Sequence, residues 1–145
     1  MTALTSLQPK SGSERFYAFI AHGSIVLSYL GFLAGIIAPY LALLVPLIIW
    51  MAYLTRSRWV ALNALEALLY QIIVLVGSLL LTLAIFRALR TAEFWLLSVI
   101  LLAVLFPFSL GGLWAALRAL HGGVFHYPLL GAALRRVSGQ ASSRR

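Results

Sequence analysis

Long apolar stretches separated by short polar ones dominate the sequence. No Lys, Arg, Asp or Glu occurs within 16–55, 67–86 or 94–117. A membrane-spanning helix needs about 20 apolar residues to cross a hydrocarbon core of about 30 Å. The pattern therefore predicts an all-α integral membrane protein.

The first apolar stretch must contain a turn. It covers 40 residues, which as one straight helix would reach about 60 Å, twice the core thickness. Gly31, Gly35 and Pro39 are the expected break, because proline lacks a backbone donor and disfavours helix at the residue before it. A re-entrant hairpin in place of the first two spans is the alternative.

The resulting prediction is four transmembrane helices joined by short loops. A flexible N-terminal segment precedes them, and an interfacial segment and a flexible basic tail follow. The predicted boundaries are 1–15 for the N-terminal segment, 16–35, 37–54, 60–86 and 94–118 for the spans, 119–137 for the interfacial segment and 138–145 for the tail.

Basic residues lie mainly on one side of these spans. Four spans place both termini on the same side, and only Arg87 and Arg90 fall on the other. By the positive-inside rule both termini face the cytoplasm, with the bacterial inner membrane as the expected location. The basic residues on the side of the termini are Lys10, Arg15, Arg56, Arg58, Arg118, Arg135, Arg136, Arg144 and Arg145.

The composition and charge of the chain limit the kinds of partner it is expected to bind. The chain is 63% hydrophobic and 10% charged, with a net charge of +8. Its basic residues flank spans and form no soluble patch with interleaved aromatic residues, so the charge favours anionic lipid over nucleic acid. There is no cysteine, which excludes disulfides and thiolate metal sites.

Polar side chains occur inside the third predicted span. Asn63, Glu66 and Tyr70 share one helix face, and Gln71 lies roughly 100° round from Tyr70. His22 in the first span and Glu66 in the third lie at similar depths, about 9 and 10 Å along their helices. Ionisable groups within a membrane normally face the helix bundle and find partners there.

We therefore expect His22 and Glu66 to meet, directly or through Asn63 or water, and to hold the first and third spans in register. A polar path or substrate groove is the alternative use of this cluster. A catalytic role is not expected, because Glu66 is the only acid inside a predicted span and no nucleophile has a plausible base beside it.

Small residues form a stripe along the first span. Ser24, Ser28, Gly31 and Gly35 follow the spacing i, i+4, i+7, i+11 and so share one face. Small side chains let helix backbones approach closely in lipid. The stripe predicts a packing face, toward another span or toward another subunit.

A glycine- and aromatic-rich motif follows the last span. Gly122 and Gly123 are expected to end the fourth helix. His121 and His126 are five residues apart and do not share a helix face, so we expect interfacial polar residues rather than metal ligands. The complete interfacial motif is His121, Gly122, Gly123, His126, Tyr127 and Pro128.

These motifs resemble those of bacterial membrane proteins of unknown function grouped with the Tic-twenty-like superfamily. That group carries a pattern like H-A-K-E-A-L-N-F-Q on its third helix and Y-P after its last span. Here Glu66 and Ala67 keep the E-A, Tyr70 and Gln71 stand for F-Q, and Asn63 replaces the histidine. The resemblance implies a four-helix membrane domain and no settled activity.

The sequence favours an accessory or assembly subunit of a larger inner-membrane complex, with a membrane-protein partner or a homo-oligomer. A small channel or transporter with a polar path past Glu66 and Gln71 is the alternative. We expect no enzymatic activity. We also expect no cofactor, since axial haem ligation would require His22 to pair with a histidine outside the predicted spans.

Overall fold

A computed structural model of the chain describes residues 11–34, 38–89, 94–123 and 127. This part of the chain is helical apart from short connections, which confirms the all-α prediction for the described residues. The helices are α1 (Gly12–Ala34), α2 (Ala38–Ala42), α3 (Leu44–Tyr53), α4 (Arg58–Leu89) and α5 (Phe94–Leu120).

Among the described residues, two helices contain stretches long and apolar enough to cross a membrane, Arg58–Ile85 in α4 and Val99–Leu120 in α5. Only 17% and 28% of the most apolar window in each are buried within the protein. Helices that are apolar all round but not buried by their own chain suit a lipid environment. The third and fourth predicted spans thus coincide with candidate membrane helices, while the first two remain predictions.

Helix α1 begins earlier than the predicted span. The Ser11 hydroxyl accepts a hydrogen bond from the backbone N–H of Glu14 at 3.3 Å. This Ser-x-x-Glu arrangement places an N-cap serine and an acidic residue where they offset the unpaired donors and the positive end of the helix dipole. Residues 12–15, assigned from sequence to the N-terminal segment, are therefore helical.

The second predicted span consists of two helices. Leu43 separates α2 from α3, and its N–H bonds to the Tyr40 carbonyl in a turn. Pro46 lies in the first turn of α3, and because proline has no N–H it cannot donate to the carbonyl of Ala42. Pro46 is therefore compatible with a helix that begins at Leu44, but the backbone hydrogen bonds of α2 do not continue without interruption into α3.

Glycines end α5 as predicted. Gly122 has φ of 77°, a left-handed conformation that glycine adopts without a steric penalty. Its N–H bonds to the Ala119 carbonyl and that of Gly123 bonds to the Arg118 carbonyl, both at 2.9 Å. This pair of bonds is a Schellman cap, and it turns the chain back toward the bundle.

Helix α1 lies at the centre of the described bundle and contacts each of the other helices. Fully buried alanines lie on α1, α4 and α5, and such small side chains let helix backbones approach closely. From the small-residue stripe, Ser24, Ser28 and Gly31 are buried, and Gly35 lies outside the described residues. The fully buried alanines are Ala18, Ala21, Ala64, Ala115, Ala116 and Ala119.

Candidate functional site: a buried polar cluster

Polar side chains from α1 and α4 meet between the helices, together with Tyr127 from beyond α5. The exposed fraction is 1% for His22, 3% for Asn63, 4% for Glu66 and 1% for Gln71. Sequence periodicity placed these residues on the inner face, and their burial agrees with that orientation. Their partners, however, were not evident from the sequence.

A directed chain of hydrogen bonds runs through His22. The Asn63 amide nitrogen donates to the Trp59 carbonyl at 2.9 Å, which turns the Asn63 carbonyl oxygen toward His22 Nε2, 3.3 Å away. Because that oxygen can only accept, Nε2 carries the proton and donates to it. In the neutral imidazole, Nδ1 is then an acceptor and faces the Tyr127 hydroxyl at 3.2 Å.

Tyr127 completes this cluster from a distant part of the sequence. Its ring stacks on Tyr70 with centroids 3.9 Å apart and 12° between planes, and the residue is 4% exposed. Burial, together with repulsion from Tyr70 and the Glu66 carboxylate, raises the pKa of the Tyr127 phenol. The hydroxyl therefore stays protonated and acts as the donor to His22.

The sequence assigned Tyr127 to an interfacial segment, and the structure instead buries its ring inside the bundle. The glycine cap ends α5 at Gly122 and Gly123, a few residues before Tyr127. Gly122-Gly123 was the sequence signal for the end of the helix, although it did not indicate which helix face the following aromatic residue would meet.

A second connection between α1 and α4 lies deeper in the bundle. The Gln71 amide nitrogen donates to Ser24 Oγ at 2.6 Å, and the Ser24 hydroxyl donates to the Ala21 carbonyl at 2.8 Å. Ser24 was predicted as a small packing residue, but it is also the hydrogen-bond partner of a buried amide. The contact fixes the register of α1 against α4.

Tyr70 connects α4 to the proline-containing part of α5. Its hydroxyl donates to the Phe108 carbonyl at 3.0 Å. Gly111 leaves room for this contact, since a Cβ there would lie 3.1 Å from the Tyr70 hydroxyl oxygen. Pro107 lies inside α5, where it weakens the helix ladder, and the Tyr70 bond supports the helix at that point.

The predicted His22–Glu66 relationship takes an indirect form. Both ring nitrogens of His22 face Asn63 and Tyr127, and Glu66 acts electrostatically on that same Tyr127. Register between α1 and α4 is carried by the His22–Asn63 and Gln71–Ser24 contacts. Energetic coupling between His22 and Glu66 stays a prediction, which a double-mutant cycle of His22→Ala and Glu66→Gln would test.

The histidines after α5 differ from His22. His121 is exposed, and its Nδ1 lies 2.8 Å from the Leu117 carbonyl of its own last turn. His126 and Pro128 lie outside the described residues. Within the described residues, no group of three or more His, Cys, Asp and Glu side chains could hold a metal ion.

Removing the Ser24 hydroxyl should expose the contribution of the interhelical bond. Ser24→Ala leaves the buried Gln71 amide nitrogen without its acceptor, and we expect a loss of about 0.6 to 1.7 kcal/mol in unfolding free energy. Ser78→Ala is the matched control, because buried Ser78 also donates to a carbonyl three residues earlier. Equal losses for the two variants in detergent unfolding would contradict the role assigned to Ser24.

The fold and this cluster together define a helical membrane protein whose buried polar side chains join its helices to one another. Residues 13–134 match the MamF/MmsF family, the magnetosome magnetite crystal formation protein family. Since this match covers most of the chain, the protein belongs to that family. No curated protein and no solved structure matches the chain.

This family membership corrects the resemblance to Tic-twenty-like proteins, which is wrong as a family assignment. That resemblance depended on short motifs such as Glu66-Ala67 and Tyr127-Pro128 within a strongly apolar chain. Pairs of residues at helix-packing positions meet the same physical demands in many membrane proteins, so they do not distinguish one family from another.

Proposed function

We propose that this protein is a non-enzymatic accessory or assembly subunit of a membrane complex that forms magnetite crystals. The observation that carries the proposal is the use of the polar side chains between the helices. His22, Asn63, Tyr70 and Gln71 bond to other helices or to backbone within the bundle. They hold one arrangement of helices, which suits a protein that presents a fixed surface to a partner.

The charge of the chain favours partners other than iron ions. The chain has three acidic and eleven basic residues, which gives a net charge of +8. Ferrous and ferric ions are cations, so a strongly basic surface repels them and attracts anionic groups instead. The influence on magnetite formation that we propose then runs through a partner protein rather than through direct binding of iron ions.

The placement of basic side chains supports a multi-pass topology with both termini on the cytoplasmic side. Arg15 near the start of α1, Arg58 at the start of α4 and Arg118 near the end of α5 belong to the same end of the bundle. Arg87 lies at the opposite end of α4. The cationic end is expected to face the cytoplasmic leaflet and its anionic lipids.

A channel or transporter remains the rival function, because Glu66 and Gln71 are intramembrane polar residues. The void beside Gln71 has a volume of about 10 Å³, which is close to the space of one water molecule. Such a void does not accommodate a hydrated ion. The arrangement of the described helices therefore favours the subunit over the conduit.

Purification from native membranes tests the proposal. The full chain, tagged on its tail and extracted into mild detergent or nanodiscs, should bring down a membrane protein at stoichiometric amounts. An unrelated multi-pass protein with the same tag is the control. Cells lacking the gene should form fewer or smaller magnetite crystals in electron micrographs, and the wild-type gene should restore them.

Two outcomes would overturn the subunit role. One is a homogeneous monomer or homo-oligomer with no associated protein, combined with ion flux in proteoliposomes that Glu66→Gln abolishes. That result would establish the channel instead. The other is normal crystal number and size in cells without the gene, which would separate this chain from magnetite formation.

A further inference from the structure

One face of α5 is exposed along the last turns of the helix. His121 follows the last residue of α5 and keeps a helical hydrogen bond from its N–H to the Leu117 carbonyl, so this face extends to it. The exposed side chains alternate with the buried alanines of α5 and lie on the opposite side of the helix. The members of this outer face of α5 are Leu110, Trp114, Leu117, Arg118 and His121.

The outer face of α5 is apolar at one end and polar at the other. From Leu110 to His121 the helix rises about 16 Å, close to the thickness of about 15 Å of one leaflet of the hydrocarbon core. The apolar stretch of α5 that is long enough to cross a membrane ends at Leu120. When this stretch crosses the membrane, Arg118 and His121 lie at the level of the lipid headgroups, and the leucines lie beside the acyl chains.

The Trp114 ring orients the Arg118 side chain. The central carbon of the guanidinium lies 6.0 Å from the centroid of the ring, which is within reach of a cation–π contact. The ring occupies one face of the guanidinium, so the N–H donors in its plane stay available. No acidic residue occurs in α5 to offset this charge along the helix. A planar cation held in one orientation suits the recognition of a phosphate group through two hydrogen bonds.

His121 adds a polar group of a different kind beside Arg118. Its Nδ1 lies 2.8 Å from the Leu117 carbonyl oxygen, and because that oxygen can only accept, Nδ1 carries the proton and donates it. In the neutral imidazole, Nε2 is then an acceptor for a hydroxyl group from outside the helix. Residues three apart are neighbours on a helix surface, so one headgroup is able to reach both side chains.

We propose that the outer face of α5 binds one anionic glycerophospholipid whose headgroup carries hydroxyl groups. Its phosphate accepts hydrogen bonds from the Arg118 guanidinium, a headgroup hydroxyl donates to His121 Nε2, and an acyl chain lies along Leu110 and Leu117. The leucines favour a lipid over a soluble phosphate, because a soluble anion has no apolar part to place against them. The site depends on α5 crossing the membrane and not on the subunit role proposed above.

Native mass spectrometry of the full chain, stripped of lipid in detergent, tests the site. Phosphatidylglycerol has a net negative headgroup with hydroxyl groups, whereas the choline of phosphatidylcholine offsets the charge of its phosphate. The wild type should bind one phosphatidylglycerol more tightly than phosphatidylcholine. Arg118→Gln should weaken the binding of phosphatidylglycerol about tenfold, the factor that corresponds to the loss of one charge-assisted hydrogen bond.

Three further variants separate a binding site from attraction by net charge. Trp114→Leu keeps the charge of the chain but removes the ring that orients Arg118, so phosphatidylglycerol should bind more weakly. Arg118→Lys keeps the charge but loses the planar fork of donors, and its affinity should lie between those of the wild type and Arg118→Gln. Arg87→Gln is the matched control, because Arg87 is an exposed arginine in the last turn of α4, and the affinity should not change.

Equal losses in Arg118→Gln and Arg87→Gln would overturn the proposal, because the lipid would then respond to net charge alone. Equal affinity of the wild type for the two lipids would also overturn it. Displacement of the lipid by an equal concentration of glycerol phosphate, which has no acyl chains, would indicate a site for soluble phosphate instead. If Trp114→Leu binds the lipid normally but loses a co-purified membrane protein, the outer face of α5 belongs to a protein contact.

Discussion

Replacing Gly112 with leucine should destabilise the bundle strongly, by about 3 kcal/mol in unfolding free energy, at the upper end of typical overpacking costs. Gly112 lies in α5 against α1, and even a Cβ at this position would overlap the Ile25 side chain. The His22 carbonyl oxygen lies 3.4 Å from the same point, so the α1 backbone limits any adjustment. Thermal or detergent unfolding followed by circular dichroism measures the loss.

Gly77→Leu is the matched control. Gly77 is also a helical glycine, in α4, but it is exposed and nothing lies within 4 Å of a Cβ placed there. Leucine has a helix propensity better than glycine by roughly 0.8 kcal/mol, so this variant should be at least as stable as the wild type. Equal stability of Gly112→Leu and Gly77→Leu would contradict the close approach of α1 and α5.

A rescue experiment identifies the residue responsible. Ile25→Ala removes the side-chain atoms that meet position 112. We expect the cost of Gly112→Leu to be smaller in the Ile25→Ala background than in the wild type, because contacting residues couple in double-mutant cycles. If the losses of stability from Gly112→Leu and Ile25→Ala are simply additive, Ile25 is not the residue that the new side chain overlaps.

Replacing His22 with alanine should cost about 2 to 4 kcal/mol. The buried Asn63 carbonyl oxygen loses its donor, at about 1 to 3 kcal/mol, and the Tyr127 hydroxyl loses one hydrogen bond, worth about 1 kcal/mol. In the bundle interior no bulk water is available to replace the imidazole. His121→Ala is the control, since His121 is exposed and bonds only within its own helix turn.

Tyr127→Phe tests the distant partner separately. The ring can still stack on Tyr70, and only the hydroxyl that faces His22 is lost. In a cycle with His22→Ala we expect a coupling of about 0.6 to 1.7 kcal/mol, the range measured for hydrogen bonds inside membrane proteins. A coupling of zero would show that the contact with His22 does not help to hold Tyr127 in place.

The inward orientation of the polar residues could be predicted, but their pairing could not. Polar groups inside a membrane helix avoid lipid, so periodicity alone places Asn63, Glu66 and Gln71 on the inner face. Which side chain each one meets depends on how the helices rotate and slide against one another. Ser24 appeared in the sequence only as a small residue at a packing position, yet it accepts the hydrogen bond of Gln71.

The helix ends also divide into those that could be predicted from the sequence and those that could not. The Ser11–Glu14 cap and the Gly122–Gly123 turn act within a few residues, and the glycine turn was predicted. The break at Leu43 also has a local cause in Pro46, but the apolar pattern predicts a single second span. A proline in a first turn is compatible with helix, so its effect on the preceding helix was not evident.

The sequence by itself determined that the chain is helical and apolar enough for a membrane, that α5 ends at two glycines, and that several polar residues face inward. These properties depend on the solvent preference of each residue and on neighbours along the helix. Only the tertiary structure decided that Tyr127 returns to His22, 105 residues away, and that Asn63 meets it from 41 residues away. Such contacts depend on the packing of whole helices, because small differences in helix rotation select between equally apolar faces.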